Sequence, residues 1–436
     1  DKAGECKLQD YSYNYGKSES RMVDDKNTPP NKPDIGENIS LFTDRCIMCS
    51  RCVRFTREVS GTSELHVVNR GTHAEIDVFP TEHLDNKLAS NVVDLCPVGA
   101  LASKDFLYSH RFWNLKTQDS VCAGCSTGCS IHLDTNKNVV YRIRPRENHN
   151  AQGYFMCDDG RLGYHYVNSA GRISKPVMRT ESGEQNSVWK EIIPALCSDL
   201  KAVASANPSG IVAILSPFLT AEEGYLLGMF IKSVSSKSKL VLGPIPIIGE
   251  DDHYPKTRGG ATSKVKFTIR NEKCPNRKGI SEIIRHFEGD VVDAGDYLKT
   301  NSPDAIFTAA GYQGENVAWY DDTLLAQLKK SKLLITQDLF PSELTNISKY
   351  VIPSAAFSEK EGTFVNYSGL AQELHWSCVP LKQVRTEGQV YLDLLGRRGL
   401  LQVASIRAEI AKSIPYFSAM SVGNLGANGL ALESIT

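Results

Sequence analysis

Short apolar runs that alternate with amphipathic stretches dominate the second half of the chain. The run 210–215 (Gly-Ile-Val-Ala-Ile-Leu) is continuously apolar, as buried parallel strands are. It is followed by Thr220-Ala-Glu-Glu223, a capping box that begins an apolar helix through Ile231. The alternation continues with strands over 239–242, 305–309 and 333–336 and a helix over 323–330. This pattern predicts a doubly wound α/β domain over residues 176–372.

The first half has a different pattern and predicts smaller domains. Residues 11–38 are polar and rich in turn residues, so we expect a surface loop or extended arm there. A ligand turn that enters a short helix is expected over 46–59, inside a first domain of residues 1–115. Within a second module, residues 116–175, strands over 130–134 and 138–143 are expected to pair across 135–137.

Charge and composition exclude several classes of partner. The chain has 49 Lys and Arg against 50 Asp and Glu, a net charge of −1, which gives no general attraction to nucleic acid. No stretch approaches the roughly 20 apolar residues that span a bilayer. The first residue is Asp1 and no signal peptide follows, so we expect the chain to be a fragment or processed product that lacks its true N-terminus.

Eight of the 12 cysteines form two groups with metal-ligand spacing. Cys46, Cys49 and Cys52 give C-x2-C-x2-C, and Cys96-Pro97 follows at a distance. In bacterial two-cluster ferredoxins a fourth nearby Cys serves a second cluster, but Thr56 occupies that place here. The first group is therefore predicted to hold a single [4Fe–4S] cluster with Cys96 as its fourth ligand.

The second group predicts another [4Fe–4S] cluster. Its members are Cys122, Cys125 and Cys129, spaced C-x2-C-x3-C, with Cys157 as the distant fourth ligand. Structural zinc is the alternative for both groups, since zinc also accepts four Cys, although zinc sites usually pair two C-x2-C turns.

The remaining features with possible chemistry receive structural interpretations. Cys197, Cys274 and Cys378 have no partner at ligand spacing and are expected to be buried core thiols. The basic segment 253–278 is interpreted as a mobile insertion with a solvated face, and a docking patch is the second choice. Residues 423–429 are interpreted as a flexible linker within a C-terminal extension, residues 373–436.

The order of these motifs resembles one family closely. Asp1-Lys-Ala-Gly-Glu-Cys6, Cys46-Ile-Met-Cys49-Ser-Arg-Cys52 and Asp94-Leu-Cys96-Pro97-Val-Gly-Ala100 resemble the large iron–sulfur subunit (75 kDa or G type) of respiratory complex I, NADH:quinone oxidoreductase. The second cysteine group resembles the cluster module that begins molybdopterin oxidoreductase-like domains. The segment 357–366, Phe-Ser-Glu-Lys-Glu-Gly-Thr-Phe-Val-Asn, is similar to the closing part of such domains.

The resemblance implies a fold, a function and a third ligand set. The fold class is α/β, with small iron–sulfur domains followed by a reduced doubly wound molybdopterin oxidoreductase-like domain. In the family, Cys6 is the last ligand of a cluster held by one His and three Cys, so here it is an orphan ligand of a cluster completed upstream. The family also carries an N-terminal [2Fe–2S] domain.

The implied function is single-electron transfer from flavin toward quinone, as a subunit of an oxidoreductase and translocase. No catalytic residue is expected in this chain. The implied partners are the flavin- and NADH-binding subunit and the quinone-side subunits, without nucleic acid or a membrane span. The implied location is the peripheral arm, on the cytoplasmic or mitochondrial matrix side of the energy-transducing membrane, with the second cluster off the main electron route.

Three alternatives stay open. The chain could be the iron–sulfur or catalytic subunit of a formate dehydrogenase, the electron-transfer subunit of an NAD-linked hydrogenase, or a scaffold with vestigial clusters. We expect no molybdopterin, because active molybdenum enzymes carry a Lys two residues after the fourth cluster Cys and this chain has Asp159 there. A carboxylate at that position would repel an anionic cofactor.

Overall fold

The computed structural model describes residues 2–17, 19–180, 183–186, 188–256, 264–315 and 318–432. They form two compact units that interleave along the chain. Unit 1 contains the described residues within Asp1–Thr117, Ile131–Tyr164 and Glu250–Arg270. Unit 2 contains those within Gln118–Ser130, His165–Gly249 and Asn271–Thr436.

The regular elements are numbered in chain order. The α-helices are α1 (Lys7–Tyr15), α2 (Arg51–Phe55), α3 (Asn91–Leu95), α4 (Asp158–Leu162), α5 (Trp189–Ala206), α6 (Ala221–Val234), α7 (Arg277–Glu288), α8 (Ala294–Thr300), α9 (Asp322–Leu328), α10 (Glu343–Ile347), α11 (Glu387–Leu394) and α12 (Val403–Ser413). The strands are β1 (Ile39–Leu41), β2 (Leu65–Val68), β3 (Glu75–Val78), β4 (Leu101–Ser103), β5 (Lys116–Val121), β6 (Ser130–Asn136), β7 (Val139–Pro145), β8 (Val177–Thr180), β9 (Gly183–Asn186), β10 (Ile211–Leu215), β11 (Lys239–Leu242), β12 (Asp252–Tyr254), β13 (Phe267–Ile269), β14 (Ala305–Ala309), β15 (Leu333–Asp338), β16 (Tyr350–Pro353), β17 (Gly362–Val365), β18 (Leu370–Leu374) and β19 (Leu430–Ala431).

Unit 1 is built from short antiparallel strand pairs and short helices. Strand β1 pairs with β4, β2 pairs with β3, and β6 pairs with β7. The expected hairpin of the second module is present, but its strands are longer than expected and the turn lies at Lys137-Asn138. Both turn residues have positive φ, 46° and 68°, which is the conformation that tight two-residue hairpin turns require.

Unit 2 contains the expected α/β fold. Its sheet has the order β11-β10-β14-β15-β16-β8-β9, and the first five strands are parallel. Along β10, Ile211, Ala213 and Leu215 enter one apolar core while Val212 and Ile214 enter the core on the opposite face. The strand is continuously apolar because both of its faces are covered. The fold class predicted from the sequence is confirmed.

Helix α6 begins as its capping box predicts. The Thr220 side chain accepts a hydrogen bond from the Glu223 backbone N–H, and the Glu223 carboxylate accepts one from the Thr220 N–H. These bonds satisfy two of the backbone donors that every helix leaves open at its N-terminus. The helix ends at Val234, three residues beyond the expected end.

The prediction of a flexible linker over residues 423–429 is wrong for the tail that the structure describes. Leu425 is buried in the same core as α11 and α12, and β19 adds a third strand to β17 and β18. Arg407 of α12 donates a hydrogen bond to the Gly423 carbonyl. The leucines among these glycines pack against the core, which the glycine-rich pattern of the sequence does not indicate.

The basic segment is also more ordered than the sequence suggests. Strands β12 and β13 form an antiparallel hairpin of unit 1, in which Tyr254 and Phe267 are buried. Within unit 1, the Lys256 N–H donates to the Ser60 carbonyl and the Lys266 ammonium donates to the Glu58 carbonyl. The expected insertion is therefore paired as strands over 252–254 and 267–269, while Lys256, Lys264 and Lys266 are exposed, as a solvated face requires; residues 257–263 lie outside the described residues.

The N-terminal arm contains one helix that its polar pattern did not predict. Helix α1 continues through Tyr15, into the segment expected to be a loop, although its side chains are mostly exposed. Within the described ranges, no helix is both long and apolar enough to cross a membrane.

Candidate iron–sulfur centres

An antiparallel strand pair brings the two parts of the first cysteine group together. Leu41 of β1 pairs with Leu101 of β4, so the chain that leaves β1 and the chain that enters β4 lie at the same end of the pair. Cys46 follows Leu41 by five positions, and Cys96 precedes Leu101 by five positions. The sheet register thus explains how Cys96, 44 residues beyond Cys52, comes to lie near the other three cysteines.

All four thiols line one cavity of unit 1. Cys46, Cys49, Cys52 and Cys96 surround about 360 Å³ of empty space, part of which is open to solvent. The rest of the lining is mainly apolar and includes Leu41, Ile76, Val98, Ala100 and Leu101. A cavity lined by four cysteines and several hydrocarbon side chains fits a thiolate-held cluster, although Cys49 is exposed.

The turn that carries the first three ligands is held in an uncommon backbone conformation. Met48 and Ser50 have φ values of 54° and 53°, a left-handed region that side chains other than glycine seldom adopt. The Met48 N–H donates a hydrogen bond of 3.4 Å to the Cys46 sulfur. Such backbone donors to sulfur stabilise thiolate charge and tune cluster potentials.

Burial in this cavity opposes free thiolates. Together with the neighbouring thiols of Cys96, Cys46 and Cys49, it raises the pKa of the Cys52 thiol to about 12. Burial likewise raises the pKa of Cys46. Because metal ligation by cysteine requires the thiolate, positive charge must compensate in the cavity, and iron supplies that charge in a cluster.

Three arginines lie close to the first three cysteines in the sequence, one between Cys49 and Cys52 and two after Cys52, and the latter two have a salt-bridge partner at the surface. Arg57 lies 2.8 Å from the Glu58 carboxylate and Arg54 lies 3.8 Å from it, and both guanidinium groups are largely exposed. Arg51 lines the cavity itself. Of the three, Arg51 is the one placed to act on the charge of a bound group.

The second cysteine group is divided between the two units. Cys122, Cys125 and Cys129 are buried in unit 2, on the loop that joins β5 to β6. The Cys122 N–H donates to the Cys129 carbonyl at 2.8 Å, which closes the loop, and the Gly124 N–H donates to the Cys122 sulfur at 3.4 Å. The three near ligands are thus preorganised on one turn.

The fourth cysteine of that group belongs to unit 1. Cys157 is buried and caps α4, where its sulfur accepts a hydrogen bond of 3.4 Å from the Gly160 N–H. Asp159, which replaces the lysine of the molybdenum enzymes, is exposed on the same helix. The four-cysteine set of the second centre therefore stays a prediction from the sequence.

Cys6 lies at the start of α1 in unit 1 and is buried. The residue before it is fixed by a bidentate ion pair, in which the Arg142 guanidinium donates to both oxygens of Glu5 at 2.8 Å. Its role as a ligand also stays a prediction.

The other cysteines behave largely as expected. Cys274 and Cys378 are buried, whereas Cys197 is only half-buried at the edge of the main core. Across the described residues, no three His, Cys, Asp or Glu side chains form a group that could hold a single metal ion.

The residues that support the ligands have no signature in the sequence. Ser90 and Asn91, at the start of α3, bond to the segment around Cys157, and Lys2 donates to the Cys96 carbonyl at 2.5 Å. These contacts join residues more than 60 positions apart, so no local spacing could have revealed them.

Known protein families match the chain in three places. The ferredoxin-like domain of NADH-quinone oxidoreductase subunit 3 matches residues 36–102, which include the first cysteine group. The molybdopterin oxidoreductase Fe4S4 domain matches residues 115–169, which include the second group. The molybdopterin oxidoreductase family matches residues 262–397, which make up much of unit 2.

Individual proteins are similar to parts of the chain. The G-type subunit of NADH-quinone oxidoreductase from Rickettsia conorii is 31% identical over 238 residues, which are 55% of this chain and 35% of that protein. The NADH-ubiquinone oxidoreductase 75 kDa subunit of Reclinomonas americana is 30% identical over 253 residues, 58% of this chain and 36% of that protein. Among solved structures, acetylene hydratase from Pelobacter acetylenicus has a TM-score of 0.44 at 9% identity and covers 64% of this chain and 69% of that one.

The matched region spans about a third of the length of these curated relatives. Within it, the order of the ferredoxin-like domain, the Fe4S4 domain and the molybdopterin oxidoreductase domain is the order of the cysteine groups and of the α/β fold described above. Over these regions the chain is similar to the G-type subunit of NADH-quinone oxidoreductase and to the 75 kDa subunit of NADH-ubiquinone oxidoreductase.

Proposed function

We propose that the chain is an electron-transfer subunit of NADH:quinone oxidoreductase and passes single electrons from the flavin side toward quinone. The observation that carries this proposal is the cavity of unit 1, which is lined by four cysteines in ferredoxin-like order and by apolar side chains. The relatives named above are subunits of NADH-quinone and NADH-ubiquinone oxidoreductase, and this complex is therefore where we expect such a centre to work.

The first centre is a [4Fe–4S] cluster held by Cys46, Cys49, Cys52 and Cys96. When bound, such a cluster accepts and releases one electron at a time. The protein's own contribution is to hold four cysteines at one end of a strand pair, to line the cavity between them with apolar side chains and to donate the Met48 N–H to sulfur. One-electron transfer by this cluster does not require a residue that donates or accepts a proton.

The second centre is a [4Fe–4S] cluster held by Cys122, Cys125, Cys129 and Cys157, off the main electron route. Support comes from the matched Fe4S4 domain and from the backbone donors to Cys122 and Cys157. Cys6 belongs to a third cluster with one His and three Cys ligands, and the full-length protein carries a [2Fe–2S] cluster in addition, as the family resemblance implies.

Unit 2 supports subunit docking and cluster placement and binds no molybdopterin. The exposed Asp159 carboxylate stands where a lysine would accompany that cofactor. The partners are the flavin- and NADH-binding subunit and the quinone-side subunits, and the chain lies in the peripheral arm on the cytoplasmic or mitochondrial matrix side of the membrane.

The test counts clusters directly. Anaerobically prepared protein is analysed for iron and acid-labile sulfide and by low-temperature electron paramagnetic resonance, beside the Cys96→Ala variant. We expect Cys96→Ala to lose about four iron atoms per chain, one cluster's content. Cys378→Ala is the matched control, because it removes a buried thiol without ligand spacing and should keep all of its iron. Unchanged iron in Cys96→Ala overturns the assignment.

A further inference from the structure

Helix α3 ends at Cys96 and hydrogen-bonds to the segment that carries Cys157. These two cysteines are the fourth predicted ligands of the two centres. Cys96 ends the helix, and its N–H donates to the Val92 carbonyl at 2.9 Å. The helix has only five residues, fewer than an isolated helix needs for stability, so surrounding contacts must fix its direction. Those contacts come largely from the segment that carries Cys157.

The start of the helix is bonded to that segment through two side chains. The Ser90 N–H and hydroxyl both donate to the Asp158 carboxylate, at 3.0 to 3.2 Å. The Asn91 amide pairs with the Met156 backbone in both directions, since it donates to the carbonyl at 2.8 Å and accepts from the N–H at 3.2 Å.

The last turn is bonded to the same segment. The Arg161 guanidinium donates to the Asp94 carboxylate at 2.6 Å and to the Asn91 amide oxygen at 3.4 Å. Asp94 stands two residues before Cys96, and Asp158 immediately follows Cys157. We call this set of hydrogen bonds the α3 clamp; its members are Ser90, Asn91, Asp94, Met156, Asp158 and Arg161.

We propose that the α3 clamp positions Cys96, so that the turn around Cys157 sets the geometry and the potential of the first centre. The proposal rests on the proposed function, because it takes both cysteines as cluster ligands. Five of the clamp residues are buried, with Asn91 and Ser90 each 1% exposed, so solvent does not replace the bonds lost among them, whereas Asp94 is exposed. Outer contacts of this kind orient ligands, and their loss typically weakens metal sites roughly 10- to 100-fold.

If the clamp positions Cys96, a change near Cys157 should alter the spectrum and midpoint potential of the first centre, although the two centres share no ligand. Asn91→Ala removes the amide pairing with the Met156 backbone, and Ser90→Ala removes only the hydroxyl bond to Asp158. Both variants should shift the spectrum and midpoint potential of the first centre, the Asn91 variant more strongly. A chelator should remove iron from the first centre of Asn91→Ala roughly 10- to 100-fold faster than from the unmodified protein.

The experiment measures the first centre by low-temperature electron paramagnetic resonance and redox titration in the assembled protein. Asn148→Ala is the control, because Asn148 is a buried asparagine of the same unit, also 1% exposed, outside the clamp. Cys157→Ser should also shift the first-centre signal, although it alters no ligand of that centre.

The result that overturns the clamp is specific. If Asn91→Ala is less stable but keeps the first-centre spectrum and potential of the unmodified protein, the clamp is only structural. If Asn91→Ala does not fold, Ser90→Ala decides by the same criterion. A first-centre signal missing from the unmodified protein would instead contradict the proposed function, so the two failures are distinguishable.

Discussion

A buried ion pair in unit 2 should determine much of the stability of that unit. The Arg172 guanidinium donates to both oxygens of Glu359, at 2.6 and 2.7 Å, and the two side chains are 1% and 3% exposed. Glu359 also accepts the Ala356 N–H at 2.8 Å, and Arg172 donates to the Val167 carbonyl at 3.0 Å. The pair therefore joins the segment before β8 to the segment before β17.

Replacing Arg172 with Met removes the cation and leaves the Glu359 carboxylate in the core without compensation. Breaking one partner of a buried pair costs about 3 to 5 kcal/mol, because the remaining charge has already lost its water. This is a large share of the roughly 5 to 15 kcal/mol that stabilises a typical domain. In the folding equilibrium it corresponds to about two to four orders of magnitude.

The assay is urea denaturation followed by tryptophan fluorescence, which reports mainly on unit 2 because Trp189, Trp319 and Trp376 lie there. Lys329→Met is the control, since its ion pair with Glu343 is exposed and should contribute about 1 kcal/mol or less. Adding Glu359→Gln to Arg172→Met should recover part of the loss. A midpoint shift in Arg172→Met no larger than that of the control would show that the buried pair contributes no more than a surface pair.

Further predictions concern a buried carboxyl group, a glycine and the second centre. Burial raises the pKa of Glu387 to about 7, so the folded protein keeps this proton at pH values where the unfolded chain, with a pKa near 4.5, has released it. The free energy of unfolding should therefore fall as the pH rises from 4.5 to 7. Glu387→Gln should flatten that part of a pH series of denaturation curves. Gly61 has φ +70°, and a Cβ there would lie 2.2 Å from the Lys256 carbonyl oxygen. Gly61→Ala should therefore lower the free energy of unfolding, measured by thermal melts, by about 1 to 3 kcal/mol. Gly71→Ala is the control and should lower it less, because Gly71 has a similar φ and open space around it. Cys125→Ala should lower the yield of assembled complex more than its NADH-to-quinone rate, and a complete loss of that rate in the assembled variant would place the second centre on the main route.

Local patterns predicted the parts of the fold that depend on neighbours in sequence. The continuously apolar run at 211–215 reports a strand covered on both faces, and the capping box at Thr220 fixes where α6 begins. Cysteine spacing likewise predicted four thiols that the structure places around one cavity. In each case the physical constraint acts over a few residues.

Features that depend on distant contacts were missed or misinterpreted. The tail around Leu425 looked like a linker because it is rich in glycine, yet Leu425 and Leu432 are buried in the core. The hairpin β12–β13 looked solvated because its lysines are exposed while Tyr254 and Phe267 face inward. The α3 clamp joins positions about 65 to 70 residues apart and has no signature in the sequence.

The most direct test of electron transfer through the first centre is rapid-freeze electron paramagnetic resonance of the assembled complex after mixing with NADH. We expect a reduced [4Fe–4S] signal from the first centre to appear within the turnover time, and both this signal and the NADH-to-quinone activity to be lost in Cys96→Ala. A complex that reduces quinone without reducing this centre, or a Cys96→Ala complex that turns over at the unmodified rate, would contradict the proposed function.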